Sequence, residues 1–562
     1  MAIEEDFDLS ELLGDSLSLQ CNIAAPARYI NTPELKDYYM EFARKDAYEI
    51  LGERDFQKCE RVESVVGTPI QEFYRGANVL ITGATGFVGK ILTDKLIRCV
   101  PNIGHIYLLI RGKKGKSSKE RFENLLEDKV FRRMKAEVPD YACRLTAVEG
   151  DIGTPNLGLS PEDHRLLCDV VNIVFHSAAD VRFIEPLKTA INSNVLGSRR
   201  VLELAKGMKN LRTYIHVSTA YSHCVRRIVE ENIPKINLNY KELLDYIDSK
   251  TDEELKEETP RLLQGWPNTY TFSKAVCEEM LREEAKALPA CIFRPSVVTP
   301  TYKEPFRGWT DNLYGPMGLL VGAGHGALHC FHMNGDLTVD TVPVDFVVNC
   351  MIAVAWRTAE ENKIRTNKEP KVYNYTYTCL NPGVCWKTAV EFSLKLKDVF
   401  PFDRSVWYTS FFYTESTLLN EFFWYLLHRI PGACFDKLAE LTGATPGLTR
   451  IYERIETLKE QTDYFSFQQW VFKNDNVMEL WRSLSEEDQK IFYFDTREID
   501  LKLHFIISKV GVKYYYLKEK IEDIPAAHRK NRWLYWIHNS VKLTCSVLAL
   551  KLLAMTARTL PF

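Results

Sequence analysis

The segment VLITGATGFVGK, residues 79–90, constrains the fold of this chain more than any other. An apolar, β-rich run ends at Ile81, glycines follow at 83, 86 and 89, and an amphipathic helical pattern opens at Phe87. Each glycine has a physical use. Gly83 permits a tight turn, Gly86 lets the backbone approach a pyrophosphate, and Gly89 lets the helix pack closely on the strand. The anion then rests on the helix N-terminus. The spacing is G-x-x-G-x-x-G rather than G-x-G-x-x-G. Thr82, Gly83, Thr85, Gly86, Phe87, Val88 and Gly89 are the residues expected to line a dinucleotide site. Five further apolar runs, 105–110, 145–150, 171–177, 211–218 and 291–296, alternate with helical stretches. Strands separated by helices imply βαβ units, and so an α/β fold with a Rossmann-type, doubly wound parallel sheet.

Open α/β sheets bind ligands at the carboxyl ends of their strands. The run HIYLLI ends in Arg111, where an acidic residue would take a ribose 2′-hydroxyl. A cation there suits a 2′-phosphate, so the expected cofactor is NADPH. Lys113, Lys114 and Lys116 read as a solvated charge run. After the run LTAVEG come Asp151 and Ile152, where a carboxylate can accept the adenine amino group. Tyr270 and Lys274 form a Y-x-x-x-K pair, which shares one helix face. An ammonium beside a phenol favours the phenolate, so Lys274 is expected to hold Tyr270 acidic enough to protonate a developing alkoxide. The same spacing recurs at Tyr246/Lys250, Tyr514/Lys518 and Tyr516/Lys520, and position selects Tyr270, between the runs 211–218 and 291–296. The first of those runs ends in Ser218 and Thr219. A hydroxyl there can bond a substrate carbonyl oxygen, with Thr219 the first choice and Ser218 the second.

The chain divides into an acidic, aromatic extension of unknown role (1–69), a dinucleotide-binding reductase domain (70–360), a second, smaller, mostly helical domain (361–500) and a tail (501–562). A highly charged insertion, 226–263, interrupts the alternation. The tail carries an apolar run, 533–555, long enough to cross a bilayer at about 1.5 Å per residue. Lys542 and Lys551 lie inside it, on opposite sides of an ideal helix, and Arg529, Lys530 and Arg532 precede it. A membrane helix, spanning or lying in the interface, is expected, with a buried terminal helix as the alternative. The catalytic domain would then face the cytosol, at the endoplasmic reticulum before peroxisome or lipid droplet. The N-terminus has neither the basic start nor the apolar core of a secretory signal. The 14 cysteines are scattered without a C-x-x-C pair, which suits a reduced compartment. With 72 basic against 75 acidic residues, a chain that grips nucleic acid is not expected. His325, His329 and His332 have no acidic or cysteine cluster beside them, so no metal site is expected. Gly322, Gly324 and Gly326 suggest a mobile substrate loop, and His176 reads as packed or cofactor-side rather than as a base. The aromatic residues 422–425 are read as plain core, with an acyl-tunnel lining as the alternative.

The segments TGATGFVGK, HSAADVRF with Glu185-Pro186-Leu187, Asn194-Val195-Leu196-Gly197, HVSTAYS, YTFSK and FRPS resemble the extended short-chain dehydrogenase/reductases. With VPVD (342–345), FFWYLLHRIPG, FYFDTREID and GVKYYYLKE, the finer resemblance is to the alcohol-forming fatty acyl-CoA reductases, over roughly 70–560. Leu501 and His504 depart from that pattern, standing where Trp and Tyr are expected. The resemblance implies NADPH-dependent reduction of a long-chain acyl-CoA to a primary alcohol through a bound aldehyde, with CoA released. It carries over Thr219 (or Ser218), Tyr270 and Lys274 as the reducing triad, and Ala178 and Asn194 as cofactor-side residues. The second domain would shape the acyl site. Oligomeric state stays open, a homo-oligomer included. The competing readings are a two-electron or sugar-nucleotide or sterol oxidoreductase of the same fold, and a non-catalytic dinucleotide-binding membrane scaffold.

Overall fold

The computed structural model describes residues 33–53, 67–113, 115–364, 369–377, 385–443, 445 and 447–559. Of the expected N-terminal extension, 1–32 and 54–66 lie outside the described residues. Seven parallel strands form the central sheet: β1 (Val79–Thr82), β2 (Ile106–Ile110), β3 (Leu145–Glu149), β4 (Ile173–His176), β5 (Thr213–Val217), β6 (Ala290–Pro295) and β7 (Lys371–Tyr375). Their order is β7-β6-β5-β4-β1-β2-β3, so the chain reverses direction of winding at β1 and opens a crevice beyond its carboxyl end.

Both faces of the sheet are covered, which is why its strands read as continuous apolar runs rather than alternating ones. Val79 and Ile81 enter the layer beneath helices α1 (Phe87–Cys99) and α3 (Val344–Asn362). Leu80 enters the opposite layer with helix α2 (Thr269–Glu284). The six anticipated strands are present. The seventh, β7, corrects the domain boundary expected at 360: the sheet extends to Tyr375.

Nor is the C-terminal half a separate globule. The layer of α1 and α3 continues without a break through Val477, Leu480, Phe492, Leu501 and Ile506. Two-stranded pairings tie the halves together, Ile228–Val229 with Val471–Phe472 and Cys330–His332 with Phe412–Thr414. Helix α4 (417–441) packs on α5 (Leu448–Ser466), whose first amides at Gly447, Leu448 and Thr449 donate to Asp436 of α4 at 2.8–2.9 Å. Helix α6 (Leu501–Gly511) and helix α7 (Ile524–Thr559) follow. Residues 33–53 strap onto this region, with Tyr39 donating to Asp500 and Tyr515 donating to Glu53, each at 2.8 Å.

Two expectations are corrected. Helix α7 runs 36 residues, yet among the described residues no helix is long and apolar enough to cross a membrane. Lys542, Lys551 and the polar run His538-Asn539-Ser540 interrupt its apolar character. It is not a buried terminal helix either, because residues 540–551 are all exposed. The glycines at 322–326 mark close packing rather than a mobile loop. Pro316–Gly324 is helical, and a side chain at Gly324 would meet the Phe402 ring at 2.2 Å.

Candidate active site

The turn after β1 has the tightness that the glycine spacing demands. Gly83 adopts φ +73°, and a Cβ there would lie 2.8 Å from the Ala178 amide. A Cβ on Gly89 would lie 2.4 Å from the Gly83 carbonyl. Helix α1 starts at Phe87, behind Gly86, with no side chain capping its first amides. Such an uncapped, positive helix end in a cradle shaped by absent side chains fits a pyrophosphate. Phe87 stacks on Trp309, centroids 5.5 Å apart, and Val88 continues the first turn.

The Thr82 hydroxyl, expected at the cofactor, is instead fully buried inside the protein. It bonds His176 Nδ1 at 2.7 Å and accepts from the Ala178 amide at 3.2 Å, so Thr82 and Ala178 lock the β1 and β4 turns together. His176 uses its other nitrogen on Ser198 at 2.8 Å. Burial, helped by the Lys274 charge, pushes His176 down to about 3, which leaves a neutral, packed ring. Asn194 is likewise a brace. Its amide accepts from the Asp180 backbone at 2.8 Å and donates to the Asp180 carbonyl and to Ser273 of α2. Ile152 packs against Gly197, where a Cβ would lie 3.1 Å from the Ile152 carbonyl.

At the end of β2, Arg111 reaches Asp151 at 3.3 Å, and Asp151 also accepts from the Gly153 amide at 2.9 Å. A second guanidinium joins them. Arg121 donates to the Arg111 carbonyl and, at 3.2 Å, to Thr85. Burial and the Arg111 charge both lower Arg121, as expected where two cations share a site. Sequence reading missed Arg121. The signal for it was the capping box of Ser117 and Glu120, which starts the helix Ser118–Leu126 and so turns residue 121 back toward the crevice.

The carboxyl end of β5 separates the two hydroxyl candidates. Ser218 donates to Glu278 inside a buried network, where Glu278 also accepts from Arg294 at 2.9 Å and pairs with His223 at 2.9 Å. Thr219 takes no part in that network: its hydroxyl accepts from the Tyr221 amide at 3.2 Å, and its side chain lowers the Tyr270 phenol. Tyr270 stands in the first turn of α2, whose cap Asn268 accepts from the Thr271 amide at 2.9 Å. Lys274, one turn on, is 2% exposed and donates to the Val217 carbonyl at 2.8 Å. Burial pushes the phenol up to about 12, against the pull of Thr219. Burial also lowers Lys274, opposed by the Cys277 and Glu278 charges. The expectation that Lys274 holds Tyr270 acidic is therefore corrected: at neutral pH Tyr270 is a phenol that keeps its proton.

The C-terminal half closes over this site through aromatic rings. Phe183 stacks on Tyr270 at 5.8 Å and meets Phe465 of α5 at 5.7 Å. Tyr221 meets Phe465, Trp470 and Phe472 edge-on at 5.3–5.6 Å. The three histidines near 330 are separately engaged, His325 with the Val321 carbonyl, His329 with the Ser410 carbonyl and His332 with Asp463.

A family model described as Male sterility protein, of the NAD-binding type, matches residues 81–351, and a second with the same description matches 427–519. The relative named Fatty acyl-CoA reductase wat, from Drosophila melanogaster, is 38% identical over 481 residues, covering 85% of this chain and 92% of the relative. Fatty acyl-CoA reductase 1 of Homo sapiens is 35% identical over 460 residues, covering 82% and 88%. Among solved structures, the terminal R domain from the myxalamid PKS-NRPS biosynthetic pathway aligns at 18% identity and TM-score 0.48, covering 85% of this chain and 97% of that one.

Proposed function

The chain belongs to the fatty acyl-CoA reductase family, and from that premise we propose that it reduces long-chain acyl-CoA to the primary alcohol with NADPH, through a bound aldehyde, releasing CoA. The observation that carries this reading is that Lys274, one turn after Tyr270 on α2, donates to the Val217 carbonyl at the end of β5, two residues before Thr219. NADPH, when bound, supplies hydride. The protein's share is to hold the thioester carbonyl and manage its proton. The Tyr270 phenol and the Thr219 hydroxyl donate to the oxygen as it gains charge. When the carbonyl re-forms, CoA leaves as its thiolate and the aldehyde keeps the same two donors. In the second round Tyr270 gives its proton to the alkoxide. A phenol held near 12 suits that step, since it releases its proton only to an oxygen more basic than itself. The sum is two NADPH and two protons per alcohol, one proton passing through Tyr270 to the alkoxide and the other converting the released CoA thiolate to its thiol.

Arg111 and Arg121 support NADPH over NADH, because two guanidinium groups with one carboxylate between them have charge to spare for a 2′-phosphate. The membrane reading draws support from exposed apolar side chains: Leu418, Phe422, Leu426 and Ile430 on α4, and Trp533, Trp536, Leu543 and Leu550 on α7. It takes the form of a chain lying on a cytosol-facing lipid surface, with Lys542 and Lys551 in reach of headgroups.

Incubation with NADPH and palmitoyl-CoA tests the activity. Two NADPH consumed per hexadecanol is the expected result, and one NADPH with free aldehyde would replace the proposal with a two-electron reductase. Arg121→Ala should weaken NADPH binding by about 10- to 100-fold, as for a lost charge-assisted bond, and leave NADH binding nearly unchanged. Equal weakening of both nucleotides would remove the 2′-phosphate assignment.

A further inference from the structure

The segment 308–315 runs between the cofactor cradle and the surroundings of Tyr270. Glycines in the left-handed region bound it, Gly308 at φ +73° and Gly315 at φ +59°. A Cβ on Gly308 would lie 2.5 Å from the Ile507 carbonyl, so α6 pins the first end. Trp309 follows, 1% exposed, and stacks on Phe87, the first residue of α1. At the other end Tyr314 is 62% exposed and lies within electrostatic reach of Arg182. Arg182 precedes Phe183, whose ring stacks on Tyr270.

One ammonium holds this segment in place. Lys90, one turn into α1, pairs with Asp128 at 2.7 Å and with Asp311 of the segment at 2.9 Å. Its Nζ also lies 5.7 Å from the centre of the Trp309 ring. The Trp309 indole N–H donates to the same Asp128 at 3.3 Å. Asp128 follows the helix Ser118–Leu126, which carries Arg121 to Thr85. Three elements around the crevice therefore share one cation: α1, the end of the Arg121 helix, and 308–315. The side chains of Lys90, Asp128 and Asp311 are 13%, 22% and 23% exposed, so both pairs are largely shielded from salt. Burial opposes the Lys90 charge and the two carboxylates outweigh it, so the group stays an ammonium. One cation facing two carboxylates has no charge to spare for a phosphate, which sets Lys90 apart from Arg111 and Arg121.

The placement gives this clasp a use. The proposed chemistry needs the pyrophosphate at the start of α1 and the nicotinamide within reach of Tyr270. Those are also the two places at which 308–315 begins and ends. Without Lys90, Asp128 and Asp311 would face each other as two like charges with no cation between them, so the attraction that closes the clasp would become a repulsion.

We propose that Lys90 is a positioning residue for the reduction: its clasp sets 308–315 against the nicotinamide half of the bound dinucleotide. The proposal rests on the reductase reading above. The test compares the full chain with Lys90→Met and Lys90→Arg, by fluorescence titration with NADPH and with NADH and by hydrogen exchange. Lys90→Met should weaken both nucleotides by the same factor, about tenfold, because the clasp serves the part that the two have in common. Hydrogen exchange without nucleotide should quicken at 308–315 and stay unchanged on β4 and β5. Lys90→Arg, which keeps a cation able to meet two carboxylates, should restore both readings. Asp311→Asn removes one arm of the clasp and should move both readings the same way by less, so the inference stays testable if Lys90→Met does not fold. Unchanged affinities for both nucleotides in folded Lys90→Met overturn the inference while the reductase reading stands, even where thermal stability has dropped. Weakening of NADPH alone would make Lys90 a 2′-phosphate ligand and overturn it as well. A wild type that binds neither nucleotide removes the reductase reading, and the inference with it.

Discussion

Helices α2 and α4 make opposite use of burial. Helix α2 is buried along nearly its whole length, charged residues included, and those charges are matched. Lys274 donates to the Val217 carbonyl, Glu278 is held by Arg294, His223 and Ser218, and Glu279 pairs with Arg282. Helix α4 buries Asn420, Trp424, His428 and Gly432, one stripe at every fourth residue, and turns Leu418, Phe422, Leu426 and Ile430 outward. Its buried side is polar and incompletely matched: Asn420 Oδ1, Trp424 Nε1 and His428 Nδ1 have no partner. Polar groups inside α2 are answered by partners within the protein. Apolar groups outside α4 are left uncovered by the described residues.

The sharpest way to break the first half of the comparison is Tyr270→Phe. Loss of a general acid should lower turnover by about 10²–10⁴-fold and leave nucleotide binding largely intact, read by steady-state kinetics beside fluorescence titration. Ser218→Ala should spare turnover, because its hydroxyl serves Glu278. A collapse of turnover in that variant as deep as in Tyr270→Phe would reverse the choice of Thr219.

Next in size is Glu278→Gln, which leaves the fully buried Arg294 without its counter-charge. Stability should fall by about 3–5 kcal/mol. The pH dependence has a definite sign. Burial pushes the Glu278 carboxyl up, but Arg294 and His223 outweigh it and hold the group well below its ordinary 4.5. Its contribution is therefore complete above about 4.5 and is lost as pH falls through the folded-state value. In denaturant titrations the gap between wild type and Glu278→Gln should be widest at neutral pH and narrow below that point. A gap independent of pH would mean that the side chain acts by packing alone.

The same contrast explains what sequence could tell. Six of the seven strands were legible because strands covered on both faces read as unbroken apolar runs. Strand β7 was not, because KVYNY carries Asn374, a polar residue whose amide donates to the Val229 and Lys473 carbonyls from deep inside. Tyr270 was legible from its place between two strands. The choice between Ser218 and Thr219 turned on Glu278, sixty residues away in the chain. Arg121 was missed because the capping box of Ser117 and Glu120 announces where its helix starts but not that the helix brings residue 121 to Thr85. For α4 the periodicity was present, but a stripe does not say which side faces the protein. The expected alternatives for 422–425, plain core or tunnel lining, both fail at Phe422 and Tyr425, which point outward, while Trp424 between them is buried.

The smallest expected effect tests that last point most directly. Leu418 is 85% exposed, so Leu418→Asn removes almost no packing within the chain. On a helix facing water such a change stays within about 0.5 kcal/mol, and improved solubility would be its main consequence. On a helix whose outer face lies in lipid, the same change gives up the transfer of a leucine side chain, roughly 1.5 kcal/mol or about tenfold in partitioning. Sedimentation with phosphatidylcholine vesicles separates the two, with thermal unfolding of the unbound protein as the control. Tenfold weaker vesicle binding at unchanged thermal stability would support the inverted helix as a lipid contact. Equal binding would leave the outward leucines to a protein partner or a second copy of the chain, and the membrane reading would then rest on α7 alone. Because His428 accepts from the His329 amide and Gly432 lets Tyr452 of α5 approach, α4 is fixed in rotation, so it cannot hide its apolar side by turning.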